Sequence, residues 1–258
     1  MTPCAENSIA SPECLPGGFE GSNAQDAEKQ QLRILRISGA VVFSSFKAVL
    51  YFLSFLGPVL VIDHFRHLPV VVLLGMAIVG YGVAAVTFIS LLVLTKKFVI
   101  GPVEVTGRVT IHDPGVKKWF LATLLSSVLD ISPFRSTTVL LSLFATWYYR
   151  GMGARMPPST LIGGRALIRE PWFLEVGENV NIGGDCLILG HRGEGRDIIL
   201  GRVIAGDGAV IGARSIIFPN VRIGNRAVVA AGALVTSGTV IPDGETWGGV
   251  PARRISRS

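Results

Sequence analysis

The sequence has little cysteine and little charge. Its 3 cysteines, Cys4, Cys14 and Cys186, are odd in number and widely spaced, so neither a disulfide framework nor a zinc-ligand spacing is visible. Charged residues make up only 16% of the chain. Walker loops, dinucleotide fingerprints and Ser-His-Asp patterns are also missing. These absences argue against nucleotide-driven and metal-structured classes, and we expect no metal.

The charge that is present is mostly positive, and the chain is unusually apolar. The net charge is +6 and the isoelectric point is about 9.5, while 49% of residues are hydrophobic and the mean hydropathy is +0.52. An excess of basic residues is typical of proteins that bind nucleic acid. In an apolar chain, however, basic residues more often flank membrane segments and face anionic lipid. The sequence contains no nucleic-acid recognition module, so we expect membrane lipid and not nucleic acid as the partner.

Residues 1–31 are rich in Ser, Gly, Glu and Gln, which predicts a disordered tail and not a signal peptide. Residues 32–97 predict a transmembrane helical hairpin. Its second segment, Leu68–Leu94, has no charge over twenty-seven residues, more than the about 20 that a spanning helix needs. The first segment, Ser38–Ile62, contains Lys47, so that its uncharged stretch, Ala48–Ile62, has only fifteen residues. A helix lying in the interface is its alternative.

Lys and Arg flank the two outer ends of this hairpin. Because cytoplasmic flanks carry the excess of basic residues, we expect both ends on the cytoplasmic side of the inner or plasma membrane. Residues 98–155 predict a linker followed by two apolar helices, Trp119–Leu129 and Ser136–Tyr149, that lie at the membrane surface or are re-entrant. The alternative is two further spans, which would bury Asp130 and Arg135 at a cost.

Residues 156–258 repeat every six residues. The first place of each hexad is aliphatic and the fifth is small or β-branched, with hexads starting at Ile199, Ala205, Ile211, Ile217, Ile223, Val229, Val235 and Ile241. A six-residue period fits one short strand and one tight corner, with the aliphatic column pointing inward. A sandwich of short strands needs turns every 8–12 residues, so the six-residue period favours a parallel β-helix, which is an all-β fold. Cys186 falls at a fifth place, which predicts a small core residue.

The runs VGENVNIGGDCLILGH and VIGARSIIFPNVRIGNRAVVAAGALVT and the ending GGVPARRI resemble hexapeptide-repeat acyltransferases. The resemblance covers roughly the last hundred residues. It implies a left-handed parallel β-helix, a homotrimer, acetyl-CoA as donor and acyl transfer as the activity.

The register breaks after Ile188, where a loop of extra residues carries His191, the only histidine of the repeat region. By resemblance His191 is the general base, for which imidazole is suited by its pKa near neutral pH. The alternative is a solvated histidine without a task. Glu178 or Asp185 could orient the imidazole. In the same loop, the acceptor or another subunit could be contacted by Arg192, Glu194 and Arg196.

The resemblance also implies a groove between neighbouring β-helices for the pantetheine arm of CoA or of a carrier protein. The residues that it assigns to this groove are Gly212, Ala213, Ala230, Ala231 and Thr236. Many members have Lys after that Thr, whereas this chain has Ser237, and Arg253 could supply the missing charge.

The segments WYYRGMG (147–153) and REPWFLEVG (169–177) are similar to the membrane-embedded terminal domain of some nonribosomal peptide synthetases, including polylysine synthetases. Two hypotheses therefore stand. The first is a membrane-anchored O- or N-acetyltransferase for a lipid-linked sugar, capsule precursor or peptide. The alternative is a non-catalytic trimerising scaffold in a peptide-synthesis or export assembly.

Overall fold

The computed structural model describes residues 20–110, 113–135, 142–195 and 197–255. The chain divides into two compact units, 1–49 and 50–258, and every contact described below lies within the second. Helix α1 (Glu20–His64) starts inside the segment predicted as a disordered tail, 1–31, whose first 19 residues lie outside the described range. Residues 20–31 include Ala, Glu, Gln and Lys, which favour helix even without an apolar face.

Helix α2 (Val70–Leu94) follows a short turn and continues as a π-helical turn, Thr95–Ile100. The Tyr51 ring stacks on the Phe88 ring with centroids 5.0 Å apart, which holds the two helices together. Their apolar windows, Ala40–His64 and Val70–Ile100, are only 11% and 28% buried. Both are long and apolar enough to cross a membrane.

Helices α3 (Pro114–Asp130) and α4 (Ser142–Gly151) lie between the hairpin and the β-structure. The α4 residue Gly151 lies against Val93 of α2, where a Cβ would be 2.7 Å from Val93 Cγ1. On its other side α4 contacts the first coil, because the Tyr149 hydroxyl donates to the carbonyl of Ala166 at 3.2 Å. These helices therefore cap the first coil.

Residues 161–249 wind into a parallel β-helix with three sheets. In the first sheet, strands pair in the order β2 (Leu161–Ile162), β5 (Asn181–Ile182), β10 (Val210–Ile211), β13 (Val228–Val229) and β16 (Thr246–Gly249), and β17 (Ala252–Arg254) adds antiparallel to β16. The second sheet contains β3 (Leu167–Ile168), β6 (Leu187–Ile188), β11 (Ile216–Ile217) and β14 (Leu234–Val235). The third contains β4 (Leu174–Val176), β9 (Val203–Ala205), β12 (Arg222–Ile223) and β15 (Val240–Ile241).

The aliphatic column predicted from the hexads forms the core. Its members are at most 2% exposed: Ile211, Ile217, Ile223, Val229 and Val235. Corner residues adopt left-handed backbone conformations, which lets the chain turn between sheets every six residues. Arg165, Asn179 and Asp185, for example, have φ of 60°, 56° and 56°. A parallel β-helix after a helical region is thus confirmed, and its short sheets match the left-handed form that the resemblance implies.

The predicted register fails at Ile199. The next strand of the β-helix after β6 is β9. Seventeen residues, and not six, therefore separate Ile188 from Ala205, the next inward position of the hexad column. Ile199 instead belongs to an antiparallel arm formed by β7 (His191–Glu194) and β8 (Asp197–Leu200). Strand β1 (Gly107–Val109) pairs antiparallel with β8 and fastens the arm to the linker. The hexad count missed this because Ile199 is also aliphatic.

Candidate active site

Two interruptions of the β-helix lie at the same corner, one coil apart. The first is a 3₁₀ turn, Pro171–Phe173, between β3 and β4, and the second is the β7–β8 arm between β6 and β9. Because β3 pairs with β6 and β4 with β9, residues of the two interruptions are spatial neighbours. This corner brings Glu170 to His191.

The Nδ1 atom of His191 lies 2.7 Å from Oε1 of Glu170. Neither atom makes a hydrogen bond of regular geometry to the described residues. At this distance, however, the lone pairs of the nitrogen and the oxygen would repel each other unless a proton lay between them. The short distance therefore favours the Nδ1–H tautomer, which leaves Nε2 with its lone pair as the base. The His191 side chain is 34% exposed, so reactants can approach it.

Glu170 is held rigidly in this position. Its side chain is 0% exposed, and its Oε2 accepts a hydrogen bond from the Gly190 amide at 2.9 Å. Gly190 is required there, since a Cβ would stand 2.6 Å from Cδ2 of Phe173 and 3.0 Å from Cβ of Glu170. Carboxylate, backbone and imidazole are thus fixed before any substrate arrives, and preorganised geometry of this kind favours proton transfer.

Helix α3 contributes an aromatic wall to the same corner. The edge of the Trp119 ring meets the His191 ring, with centroids 5.3 Å apart and an interplanar angle of 62°. The same helix is anchored at its end by Asp130, whose carboxylate binds Arg135 at 2.5 Å and Arg169 at 3.1 Å. Burial raises the pKa of Asp130, against the lowering effect of these two guanidinium groups. Sequence reasoning did not connect α3 with His191.

The predicted acceptor loop belongs to the antiparallel β7–β8 arm and is not an irregular loop. Arg108 of β1 binds Glu194 and Asp197, each at 3.1 Å, and Arg192 binds Glu194 at 3.1 Å. Glu194 is therefore occupied in ion pairs, whereas the Arg192 side chain is still 38% exposed. Arg196 lies outside the described residues.

The orienting role predicted for Glu178 or Asp185 is corrected by the geometry. Glu178 accepts a hydrogen bond from the Ser159 hydroxyl, and Asp185 binds Arg165 at 2.8 Å. Both occupy corners of the β-helix, and the carboxylate at the imidazole belongs to Glu170. The signal that could have identified Glu170 is the shorter break between Ile168 and Val176, eight residues instead of six.

The residues predicted for CoA lie at two corners. Gly212–Ala213 and Ala230–Ala231 stack directly, since a Cβ on Gly212 would be 2.5 Å from the Ala231 nitrogen. The amides of Gly212 and Ala230 donate to Val229 and Trp247, so they are used by the β-helix itself. Thr236 follows β14, on the same edge of the β-helix as His191 but two coils away, and its hydroxyl contacts that of Thr239 at 3.2 Å. Arg253 sits beside Gly248 in the β16–β17 pair.

No protein-family model matches the chain. A Bacillus subtilis protein assigned provisionally as an acetyltransferase, YvoF, is 42% identical over 88 residues, which are 34% of this chain and 50% of that protein. The delta-poly-L-ornithine synthetase of Acinetobacter baumannii is 25% identical over 138 residues, which are 54% of this chain and 10% of the synthetase. The chain thus spans half or less of these relatives.

Further relatives are named N-acyltransferases, N-acetyltransferases and γ carbonic anhydrases. Among solved structures, the hexapeptide-repeat acetyltransferase VCA0836 of Vibrio cholerae has a TM-score of 0.40 at 17% identity, over 58% of this chain and 94% of that one. A score of this size does not establish a common arrangement of whole chains. The resemblance of the C-terminal region to hexapeptide-repeat acyltransferases is confirmed. The match to the delta-poly-L-ornithine synthetase gives only weak support to the similarity of the preceding region to peptide synthetases.

Proposed function

We propose that the chain is a membrane-anchored acyltransferase that moves an acetyl group from acetyl-CoA to the hydroxyl or amine of a membrane-proximal acceptor. A lipid-linked sugar, a capsule precursor and a peptide are the acceptor classes. The observation that carries the proposal is the 2.7 Å contact between His191 and the buried carboxylate of Glu170. Carboxylate and imidazole in this order are the parts of a general base.

In the proposed reaction, Nε2 of His191 takes the proton of the acceptor hydroxyl or amine. The freed lone pair attacks the thioester carbonyl carbon, the carbon–sulfur bond breaks, and the leaving thiolate receives the proton from the imidazolium. Glu170 stays ionised and stabilises the imidazolium through Nδ1–H. Glycine-rich corners could donate backbone N–H groups to the developing oxyanion.

CoA would lie along the stacked corners of Gly212, Ala213, Ala230 and Ala231, with Thr236 and Arg253 toward its phosphate end. The amides of Gly212 and Ala230 already donate hydrogen bonds within the β-helix. We therefore expect Ala213 and Ala231 to contact the pantetheine arm. A homotrimer would complete the groove from a neighbouring copy. Binding of acetyl-CoA to the full chain, measured with and without Ala231→Arg to fill the groove, tests this arrangement.

The deciding test of catalysis is His191→Ala. Thioester consumption with a screened acceptor should fall by about 10²- to 10⁴-fold, the usual contribution of a general base, while folding and acetyl-CoA affinity stay unchanged. His67→Ala, in the exposed turn of the hairpin, serves as the matched control. Equal rates for wild type and His191→Ala would remove His191 from the mechanism.

Membrane anchoring rests on the two apolar helices and their exposed aliphatic side chains. Val71, Ile78 and Val79 are 80%, 75% and 68% exposed, which water disfavours and lipid does not. We propose that both outer ends and the β-helix are cytoplasmic. Release of the intact chain by alkaline carbonate, or protection of the β-helix from protease in inside-out vesicles, would contradict this.

The match to the ornithine-polymer synthetase favours a second candidate. In that case the chain is a non-catalytic trimerising domain that anchors a peptide-synthesis or export assembly, and the β-helix serves as scaffold. The match covers 54% of the chain, so it extends beyond residues 156–258 into the preceding region. Failure of wild-type protein to bind any acyl thioester, with trimers intact, would favour the scaffold.

A further inference from the structure

A cavity of about 390 Å³ lies where the hairpin meets the first coils, beside the 3₁₀ turn Pro171–Phe173. It is lined by Lys96, Glu104, Gly153, Arg155, Trp172 and Arg202, together with Pro102 and Val103. Three of these side chains are cationic. Neither the predicted CoA groove nor the acceptor loop contributes to the cavity.

Lys96 is the unusual member of the cavity wall. The residue is only 6% exposed, and its ammonium group donates a hydrogen bond to the carbonyl of Gly101 at 2.8 Å. In the part of the chain that the structure describes, no carboxylate oxygen lies within 4.0 Å of its Nζ atom. An ammonium has three N–H groups, and a buried charge without a counter-ion is costly. Lys96 therefore has N–H groups that the described residues leave available to a ligand in the cavity.

Trp172 is a second buried residue in the wall of the same cavity. Its residue is 6% exposed, and its indole N–H has no hydrogen-bond partner among the described residues. The ring lies 5.6 Å from the Lys96 ammonium, measured to the ring centroid. A cation over an aromatic ring is attracted to it, so the indole ring helps to hold the Lys96 ammonium at the cavity wall.

The remaining charges leave the cavity positive. Arg155 and Arg202 share one carboxylate, that of Glu175, with Arg155 at 3.2 Å. Glu104 lies at the exposed rim. Three cations thus face two carboxylates, and Arg155 remains 73% exposed and able to turn toward a ligand. A group with several oxygens, such as a phosphate, can accept from lysine and arginine donors at once.

We propose that this cavity binds a phosphate group, and that the phosphate belongs to a membrane lipid headgroup. Lys96 lies in the π-helical turn at the end of α2, and the next residues include Phe98 and Val99, which are 75% and 78% exposed. An apolar surface beside a cationic cavity matches acyl chains beside a headgroup. The lipid source rests on the proposed membrane anchoring, whereas phosphate binding does not depend on acyl transfer.

The test uses the full chain in phosphatidylcholine nanodiscs, with short-chain phosphatidic acid as the probe and thermal unfolding and titration as readouts. Diacylglycerol with the same chains controls for apolar binding, and inorganic phosphate controls for a soluble ligand. We expect phosphatidic acid to raise the melting temperature and diacylglycerol to leave it unchanged. An equal rise with inorganic phosphate supports the phosphate site and overturns its lipid source, and an equal rise with diacylglycerol overturns the proposal.

Two variants locate the site. Lys96→Met should weaken phosphatidic acid binding by about 10- to 100-fold, the loss expected for a charged hydrogen bond, whereas exposed Lys97→Met, the neighbouring cation, should bind as wild type. Arg155→Met removes an exposed cation from the same cavity and should weaken binding by roughly 2- to 10-fold. If Lys96→Met fails to fold, Arg155→Met decides. Unchanged binding in the folded variants, or equal loss in Lys96→Met and Lys97→Met, overturns the proposal.

Discussion

Glu170 and His191 stand 2.7 Å apart although a whole coil of the β-helix separates them along the chain. Each lies in an interruption of the hexad repeat, and the pairing of β3 with β6 stacks the two interruptions. The regular part of the fold thus acts as a rigid frame, and the irregular parts meet to form the candidate active site.

Glu170→Gln tests the positioning role of the carboxylate. Gln can still accept from the Gly190 amide, but it does not hold the Nδ1 proton as an ionised carboxylate does. We expect kcat to fall by about 10²-fold or more with the melting temperature nearly unchanged. The nitrogen NMR signals of His191 should report a changed tautomer. Glu178→Gln, a corner carboxylate bonded to Ser159, should leave both readouts at wild-type values.

Gly190→Ala tests the close packing behind the imidazole. The new Cβ would stand 2.6 Å from Phe173, so the chain must shift, and overpacking of this kind costs about 1–3 kcal/mol of unfolding free energy. We expect lower stability and lower turnover, because the amide that holds Glu170 moves too. Gly193→Ala, in the same arm with open space around its Cβ, is the control in chemical denaturation and rate measurements. Equal stability of the two variants would argue against the packing at Gly190.

Ile223→Asp tests the register of the hexads. Ile223 is 2% exposed, and a lone carboxylate in that core should unfold the β-helix, since its desolvation costs several kcal/mol or more. Arg222→Asp changes the exposed neighbour in the same strand and should fold. Circular dichroism and thermal melting distinguish the two. A normal melting curve for Ile223→Asp would count against the inward column.

The thiol of Cys186 provides a test at alkaline pH. Burial raises the pKa of this thiol from 9.0 to about 12, so between those values the unfolded chain loses a proton that the folded chain keeps. Stability from this group is therefore complete below pH 9 and is lost as pH rises toward 12. In a Cys4→Ser, Cys14→Ser background, the stability difference between Cys186 and Cys186→Ala should shrink over this range. The native thiol should also resist alkylation until unfolding, and rapid native alkylation would contradict its burial.

The sequence by itself determined the repeating part of the protein. A six-residue period with an aliphatic first place admits one arrangement of strands and corners, so the inward column, the buried Cys186 and the two apolar helices could be predicted from local pattern. His191 could be singled out because it lies where that pattern stops. The wrong register at Ile199 also came from a local pattern. An isoleucine in the β7–β8 arm cannot be distinguished by sequence from an isoleucine in a coil of the β-helix.

Only the tertiary structure decided what surrounds His191. Glu170, twenty-one residues earlier, Trp119 on α3, and Arg108 in the linker reach this corner through strand pairing and helix packing, which link residues far apart in sequence. Carboxylates nearer in sequence, Glu178 and Asp185, face other corners instead. The buried Lys96 likewise gains its meaning from Trp172 and Arg202, which only the stacking of the coils against the hairpin brings to the same cavity.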